Sequence, residues 1–143
     1  MTTIAYRDGV LAADTQTTSG ERNDGHDVKI AKRGCILAAA AGSSAMCRLF
    51  MDWFRSGMKG DAPSMKNGDF TGWGMLFYER DRIAMLNEAG WETRRAEIYT
   101  NGSGGDLALG AMAAGASPPE AVRIAMRYDI HTGGDVTVLR ANG

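Results

Sequence analysis

The sequence is poor in the features that define several classes of protein. It has two cysteines, Cys35 and Cys47, which are too few for a disulfide framework and both lie in apolar surroundings. We therefore expect reduced core thiols in a cytoplasmic protein. The longest apolar run, residues 35–42, is far shorter than a membrane span, and no signal-peptide pattern opens the chain. We expect no membrane association.

An excess of one charge is also lacking. The formal net charge is −1 and the sequence pI is about 6.1, which leaves no electrostatic footprint for nucleic acid or an anionic surface. Hydrophobic residues make up 44% and charged residues 23%, and the 143 residues predict a single globular domain spanning 1–143. Glycine, in contrast, is plentiful at 19, and its clusters at 102–105 and 133–134 predict tight turns.

The first residues carry a potential nucleophile. Met1 is followed by a small residue, and its removal would leave Thr2 with a hydroxyl and a free α-amine. An α-amine titrates at about 7.7–8.0, so it can accept the hydroxyl proton near neutral pH. A Met-Thr start alone is a weak signal, and the rest of the chain decides its meaning.

Hydrophobic alternation predicts strands in the first third of the chain. Residues 3–6 and 10–13 form a hairpin around an Asp-Gly turn, and the second strand ends in Asp14. The polar stretch 20–27 is predicted to be a loop, and residues 28–32 and 33–38 form a second hairpin.

The remainder alternates between helices and strands. Ser44 is predicted to cap a helix whose apolar stripe faces the core (Met46, Leu49, Phe50, Trp53 and Phe54). Residues 56–72 form a connector, and 73–78, 82–86 and 91–99 form an antiparallel meander. A small-residue helix spans 106–114, a second helix follows the Ser117 cap and points Asp129 along its apolar face, and 136–139 close the chain as a strand. This order predicts an α+β fold of two packed antiparallel sheets with helices outside them.

Three blocks of the sequence resemble one family. They are Thr2-Thr3-Ile4 with residues 9–18; Val28-Lys29-Ile30 with residues 36–43; and residues 102–108 with 129–135. In this order they resemble proteasome β-type, HslV-like threonine peptidases, which are N-terminal-nucleophile hydrolases. The resemblance implies a four-layer αββα sandwich and a threonine endopeptidase that acts on unfolded proteins or peptides without a metal or other cofactor.

The resemblance also implies roles for individual residues. Thr2 would be the nucleophile after loss of Met1, Lys29 a buried cation beside its hydroxyl, and Asp14 the partner that orients Lys29. The backbone N–H of Gly42 would stabilise the oxyanion.

Further implied residues surround these four. A network of Ser103, Asp129 and Thr132 would surround the α-amine. Five positions would contact substrate, namely Thr17, Thr18, Ala31, Ala40 and Ser43.

The implied assembly is a homo-oligomeric ring or double ring that restricts access to a central chamber. The connector 56–72 is short and glycine-rich where the family has a further helix that helps contact regulatory partners. Docking to an unfoldase ATPase is therefore left open, as are ring size and cleavage preference.

Other interpretations remain open at the level of sequence. The chain could be a catalytically silent, ring-forming subunit, which retention of Met1 would favour, or an amidase of the same fold that acts on a small molecule. Asp14 and Lys29 could form an ordinary ion pair, and Ser103 could merely cap a helix. A Ser/His/Asp triad through His131 is disfavoured because no Gly-x-Ser-x-Gly motif accompanies it. The cysteines and histidines show no metal-ligand spacing.

Overall fold

The computed structural model describes residues 2–19 and 22–142. Three helices and twelve strands occur in these ranges, and the chain is α+β. The strands are β1 (Thr3–Arg7), β2 (Val10–Asp14), β3 (Gln16–Ser19), β4 (Arg22–His26), β5 (Ile30–Arg33), β6 (Ile36–Gly42), β7 (Lys66–Asn67), β8 (Phe70–Tyr78), β9 (Arg82–Asn87), β10 (Gly90–Arg95), β11 (Ile98–Gly102) and β12 (Val136–Arg140). The helices are α1 (Ser44–Arg55), α2 (Gly105–Ala113) and α3 (Pro118–Tyr128). None of the described helices is long and apolar enough to cross a membrane.

Two larger antiparallel sheets carry most of the strands. One has the order β11-β1-β2-β12 and the other the order β10-β9-β8-β6-β5 with β7 paired to β8. A hydrophobic cluster between them takes side chains from β1 and β2 on one side and from β6, β8 and β9 on the other, including Tyr6 stacked on Phe77 at 4.4 Å between ring centroids. Burial of this shared face holds the sheets together.

The helices cover the other faces of these sheets. Helix α1 buries Met46, Phe50 and Phe54 against β6 and β8, while α2 and α3 pack on the β1–β2 sheet. Gly74 on β8 makes room for α1, because a Cβ there would run into the Phe50 ring. Leu49, which we predicted to face the core, is half-exposed instead.

Several predicted boundaries were wrong for local reasons. Part of the stretch predicted as a loop at 20–27 is strand β4, which pairs with β3 in a separate two-stranded sheet. Both strands consist of polar residues and glycine, so no hydrophobic alternation marks them. Gly20 and Glu21 lie outside the described residues. The predicted strand 91–99 is two strands, and β11 leaves the meander to pair with β1 in the other sheet.

The helix caps were predicted with mixed success. Ser117 caps α3 as predicted, and its hydroxyl accepts a hydrogen bond from the Glu120 N–H. The N-cap of α1 is Ser43 rather than Ser44, and its side chain makes no capping bond. Asp129 is the C-cap of α3 with extended backbone angles and does not lie on the final helical turn. Its carboxylate is therefore placed by the following loop as well as by the helix.

Candidate active site

One buried carboxylate joins the N-terminal strand to the lysine of the second block. Asp14 is fully buried, and its Oδ1 accepts hydrogen bonds from Thr2 Oγ1 at 2.7 Å, Lys29 Nζ at 2.7 Å and the Thr3 N–H at 3.0 Å. Its Oδ2 accepts from the Gly133 N–H at 3.0 Å. Four donors thus satisfy this carboxylate, and the Thr2 hydroxyl and the Lys29 ammonium are held against the same oxygen atom.

The register of the first hairpin explains how Asp14 comes to face Thr2 and Thr3. Ile4 pairs with Ala13 across β1 and β2, which brings Asp14 opposite Thr3. The register is set by a turn in which both Asp8 and Gly9 have positive φ, at 50° and 77°. Such turns twist in the same sense as the strands that they join, and Asp-Gly favours them.

Lys29, the cation bonded to Asp14, lines the adjoining cavity and has a nearly buried side chain. Its side chain is 10% exposed, and burial lowers the pKa of its ammonium group while the Asp14 carboxylate acts in the opposite direction. A buried lysine is tolerated when a close carboxylate compensates for its lost hydration. The geometry therefore holds the Lys29 amine and the Thr2 hydroxyl on the same carboxylate oxygen.

A second polar network lies on the other side of Thr2. Asp129 Oδ2 accepts from Ser103 Oγ at 2.6 Å and from Thr132 Oγ1 at 2.5 Å. Because the Thr132 proton points to Asp129, the Thr3 hydroxyl 2.7 Å from Thr132 is the donor of that contact. Ser103 Oγ also lies 3.4 Å from the Thr2 carbonyl oxygen. The network therefore surrounds the backbone of the first two threonines.

The donors around Asp129 determine its ionisation. Burial alone would raise the pKa of Asp129, but the hydrogen bonds from Ser103, Thr132 and the His131 N–H outweigh it and hold that pKa below the usual value. The carboxylate is consequently charged at neutral pH. His131 Nδ1 is buried and has no hydrogen-bond partner among the described residues.

Glycines let the 102–105 loop approach Thr2 and Thr3 closely. Gly102 has a φ of 98°, and a Cβ on it would overlap the Thr2 carbonyl. A Cβ on Gly104 would overlap the Thr3 hydroxyl. This glycine run therefore serves close approach of backbones, and it places Ser103 between Thr2 and Asp129.

Thr2 opens onto a cavity of about 670 Å³. Most residues that we predicted at the reacting surface or in contact with substrate line it, namely Thr2, Thr17, Thr18, Lys29, Ala40, Gly42 and Ser43. Ala31 does not line this cavity and packs against the cluster beneath α1. Further lining residues were not predicted, among them Gln16, Val28, Cys47 and Met51.

The predicted oxyanion residue occupies a position that only glycine fits. Gly42 ends β6 with a φ of 106°, and a Cβ on it would lie 2.8 Å from both the Gly72 Cα and the Thr71 carbonyl oxygen. The following Ser43 N–H donates to that carbonyl at 2.9 Å. The backbone at the cavity edge is therefore fixed between β6 and β8.

Sequence reasoning missed three participants. Thr3 and Gly133 both donate to Asp14, and Gln16 bonds to the loop that follows α3. The hairpin register could have revealed Thr3, since it is the residue opposite Asp14. The glycine cluster at 133–134 predicted a turn but not the bond to Asp14, and nothing in the sequence marks Gln16, because its partners are distant in the chain. No cluster of histidine, cysteine and acidic side chains in the described ranges could hold a metal ion.

Comparisons with known proteins give structural matches. No protein-family model matches the chain, and no curated protein matches it significantly. BPH from Thiobacillus denitrificans in complex with epoxomicin is 20% identical with a TM-score of 0.68, and the match covers 99% of both chains. HslV from Trypanosoma brucei is 18% identical with a TM-score of 0.68, and the match covers 97% of this chain and 98% of that one. The chain therefore has an HslV-like, proteasome β-type fold.

Proposed function

We propose that the protein is a threonine-type endopeptidase in which Thr2, freed by removal of Met1, is the nucleophile. The observation that carries the proposal is the convergence of Thr2 Oγ1 and Lys29 Nζ on one oxygen of the buried Asp14, at 2.7 Å each, at the edge of an open cavity. Met1 lies outside the described residues, so its removal is part of the proposal.

The first step is acyl transfer to Thr2. Its Oγ attacks the carbonyl carbon of a peptide bond while its proton passes to the free α-amine. The Lys29 ammonium favours alkoxide character on Oγ and disfavours a second positive charge on the amine, so the amine stays neutral and able to accept the proton. The C–N bond then breaks, the leaving amine takes that proton, and an ester on Thr2 remains for water to hydrolyse.

Backbone and substrate contacts complete the step. We assign the Gly42 N–H to the developing oxyanion, where one such donor contributes about 2.7–4 kcal/mol to transition-state stabilisation. The hydroxyl-bearing residues Thr17, Thr18 and Ser43 line the cavity and can bond an extended peptide, and Ala40 leaves room for its side chain.

The Asp129 network is assigned to the α-amine. Ser103 Oγ lies 3.4 Å from the Thr2 carbonyl oxygen and 2.6 Å from Asp129, so both groups are next to the backbone that would carry the amine. A charged Asp129 orients the amine through the hydroxyls of Ser103 and Thr132, which both donate hydrogen bonds to its carboxylate.

The proposal extends to architecture and assembly. The contacts of α1 with one sheet and of α2 and α3 with the other support the four-layer αββα sandwich. The resemblance in sequence motifs and the shared fold support a closed homo-oligomeric ring with the cavity facing its interior. Native mass spectrometry tests this: one closed oligomer is expected, whereas a monomer would refute the ring and favour the small-molecule amidase.

Hydrolysis of a fluorogenic peptide library tests the catalytic assignment. Wild-type protein is expected to cleave peptides, Thr2→Ser to retain part of the activity, and Thr2→Ala to lose it. Thr93→Ala is the matched control because Thr93 is exposed on the edge strand β10. Equal rates for wild type and Thr2→Ala would refute the nucleophile, and absence of turnover in processed wild type would indicate the silent subunit.

A further inference from the structure

The proposed substrate residues and the proposed amine network lie on two separate segments. Thr17 and Thr18 belong to β3, in the small hairpin that pairs with neither large sheet. Asp129 and Thr132 belong to the loop between α3 and β12. Gln16, the residue directly before the two threonines, connects these segments.

Gln16 makes its connection with both backbone and side chain. The residue is buried at 7% exposure, and its side-chain Nε2 donates to the Ile130 carbonyl at 3.0 Å. Its backbone N–H donates to the Gly133 carbonyl at 3.1 Å. The same Nε2 lies 3.4 Å from Thr18 Oγ1, at the long limit of a hydrogen bond. The shorter bond of the Gln16 side-chain amide therefore goes to the loop and the longer one to the hairpin.

At its other end the loop is also held at Gly133, whose N–H donates to Asp14 and whose carbonyl also accepts from the Thr15 N–H, whereas Gln16 holds it at Ile130. The Ile130 side chain is 72% exposed, so apolar packing does not anchor that residue. The Gly133 Cα lies against the Gln16 side chain so closely that a Cβ on residue 133 would overlap Gln16 Oε1. Between these two positions stand His131, whose N–H bonds Asp129, and Thr132, whose hydroxyl does the same.

We propose that Gln16 is a positioning residue that fixes the 130–133 loop, and through it Thr132 and Asp129, relative to Thr2. This rests on the proposed function, since the loop would otherwise have no reaction to serve. Among the described residues no hydrogen bond joins Gln16 to Thr2 or to the Asp129 carboxylate; Gln16 acts through the backbone carbonyls of Ile130 and Gly133.

The expected effect is on the chemical step rather than on substrate affinity. A neutral hydrogen bond contributes about 1 kcal/mol, so its loss in Gln16→Met, which keeps the length of the side chain, predicts an approximately fivefold lower kcat. KM is expected to stay within about twofold, because the bond to Thr18 is already long. Gln16→Glu places a carboxylate against the Ile130 carbonyl and is expected to lower kcat about tenfold or more.

A matched substitution controls for the change of charge. Asn23→Asp makes the same amide-to-carboxylate change on the neighbouring strand β4, where the side-chain oxygen that accepts from the Gly25 N–H is retained. Its kcat and KM are expected to equal those of wild type. A loss in Asn23→Asp as large as in Gln16→Glu, or a Gln16→Met effect confined to KM, would overturn the positioning role.

Contact between Gln16 and Gly133 allows a double-variant test. Gly133→Ala is expected to lower kcat because its methyl group displaces the Gln16 amide. In Gln16→Ala/Gly133→Ala the clash is gone, so this variant is expected to be no slower than Gln16→Ala alone. Additive losses would show that the two residues act independently and would contradict the proposal.

Hydrogen exchange separates failure of this inference from failure of the proposed function. Amides of residues 130–133 are expected to exchange about fivefold faster in Gln16→Met than in wild type, whether or not the protein cleaves peptides. Unchanged exchange overturns the inference even if the enzyme is active. Faster exchange with unchanged kcat in an active enzyme overturns the positioning role of Gln16 as well. Wild-type protein without turnover refutes the proposed function and the role of Gln16 in catalysis together.

Discussion

Removal of the buried carboxylate of Asp14 should be among the most damaging single changes in the chain. In Asp14→Ala the Lys29 ammonium loses the oxygen that holds it at 2.7 Å while remaining 10% exposed. Removing one partner of a buried ion pair lowers the free energy of unfolding by about 3–5 kcal/mol. The Thr3 and Gly133 N–H groups lose the same acceptor, so we expect the upper part of that range.

Removal of Lys29 instead of Asp14, and removal of both charges together, reveal how much of the lost unfolding free energy is electrostatic. Lys29→Met should cost less than Asp14→Ala, because Asp14 keeps its donors from Thr2, Thr3 and Gly133. Asp14→Asn/Lys29→Met removes both charges and keeps an acceptor oxygen. Its loss of unfolding free energy should fall below the sum of the single Asp14→Asn and Lys29→Met losses by about 1–3 kcal/mol.

Urea denaturation at neutral pH measures these differences. All variants are compared at one protein concentration, since assembly would contribute to the apparent stability. A loss of less than about 1 kcal/mol in Asp14→Ala, or strict additivity in the double variant, would refute the argument that a buried, coupled pair organises the site. None of these variants should cleave peptides at the wild-type rate.

Three further predictions test packing, pH dependence and thiol chemistry. Gly74→Ala should destabilise the fold by about 1–3 kcal/mol because its methyl group overlaps an aromatic ring of α1, whereas Gly110→Ala, in open space on α2, should stabilise it by about 0.5–1 kcal/mol. Thermal unfolding that ranked the two the other way would contradict the packing. The pKa of Asp129 is lowered from 3.8, so the charged carboxylate stabilises the fold above that pH, and this stabilisation is lost on acidification. Thr132→Val removes one hydrogen-bond donor to Asp129, so the melting temperature of this variant should begin to fall at a higher pH than that of wild type. Cys35 is exposed, so our prediction that both cysteines are core thiols was wrong for this residue. Burial raises the pKa of the Cys47 thiol to about 11, so alkylation at about pH 8 should modify Cys35 first, and peptide mapping that found Cys47 modified first would refute this.

The parts of the fold that hydrophobic patterning controls could be predicted from the sequence. The Asp-Gly hairpin, the amphipathic α1 and the Ser117 cap follow from local chemistry, and the structure contains all three. The β3–β4 hairpin was missed because its strands are polar on both faces. The transfer of β11 to the other sheet could not be predicted either, since pairing between distant strands leaves no local signal.

The candidate site shows the same division. Asp14, Lys29 and Thr2 were proposed from motifs, and in the structure the side chains of Thr2 and Lys29 both bond one carboxylate oxygen of Asp14. Thr3 and Gln16 act through contacts with residues more than a hundred positions away, which spacing along the chain does not encode. Tertiary packing decides such contacts, and only the structure reveals them.

The most direct test of the central claim is to measure intact mass and peptide hydrolysis on the same preparation. The account predicts a mass that lacks Met1, and an active fraction equal to the fraction of molecules with a free Thr2 amine. If processing is incomplete, removal of the remaining methionine with an aminopeptidase should raise the rate in proportion. Full activity in molecules that retain Met1 would contradict the claim that Thr2 acts as an N-terminal nucleophile.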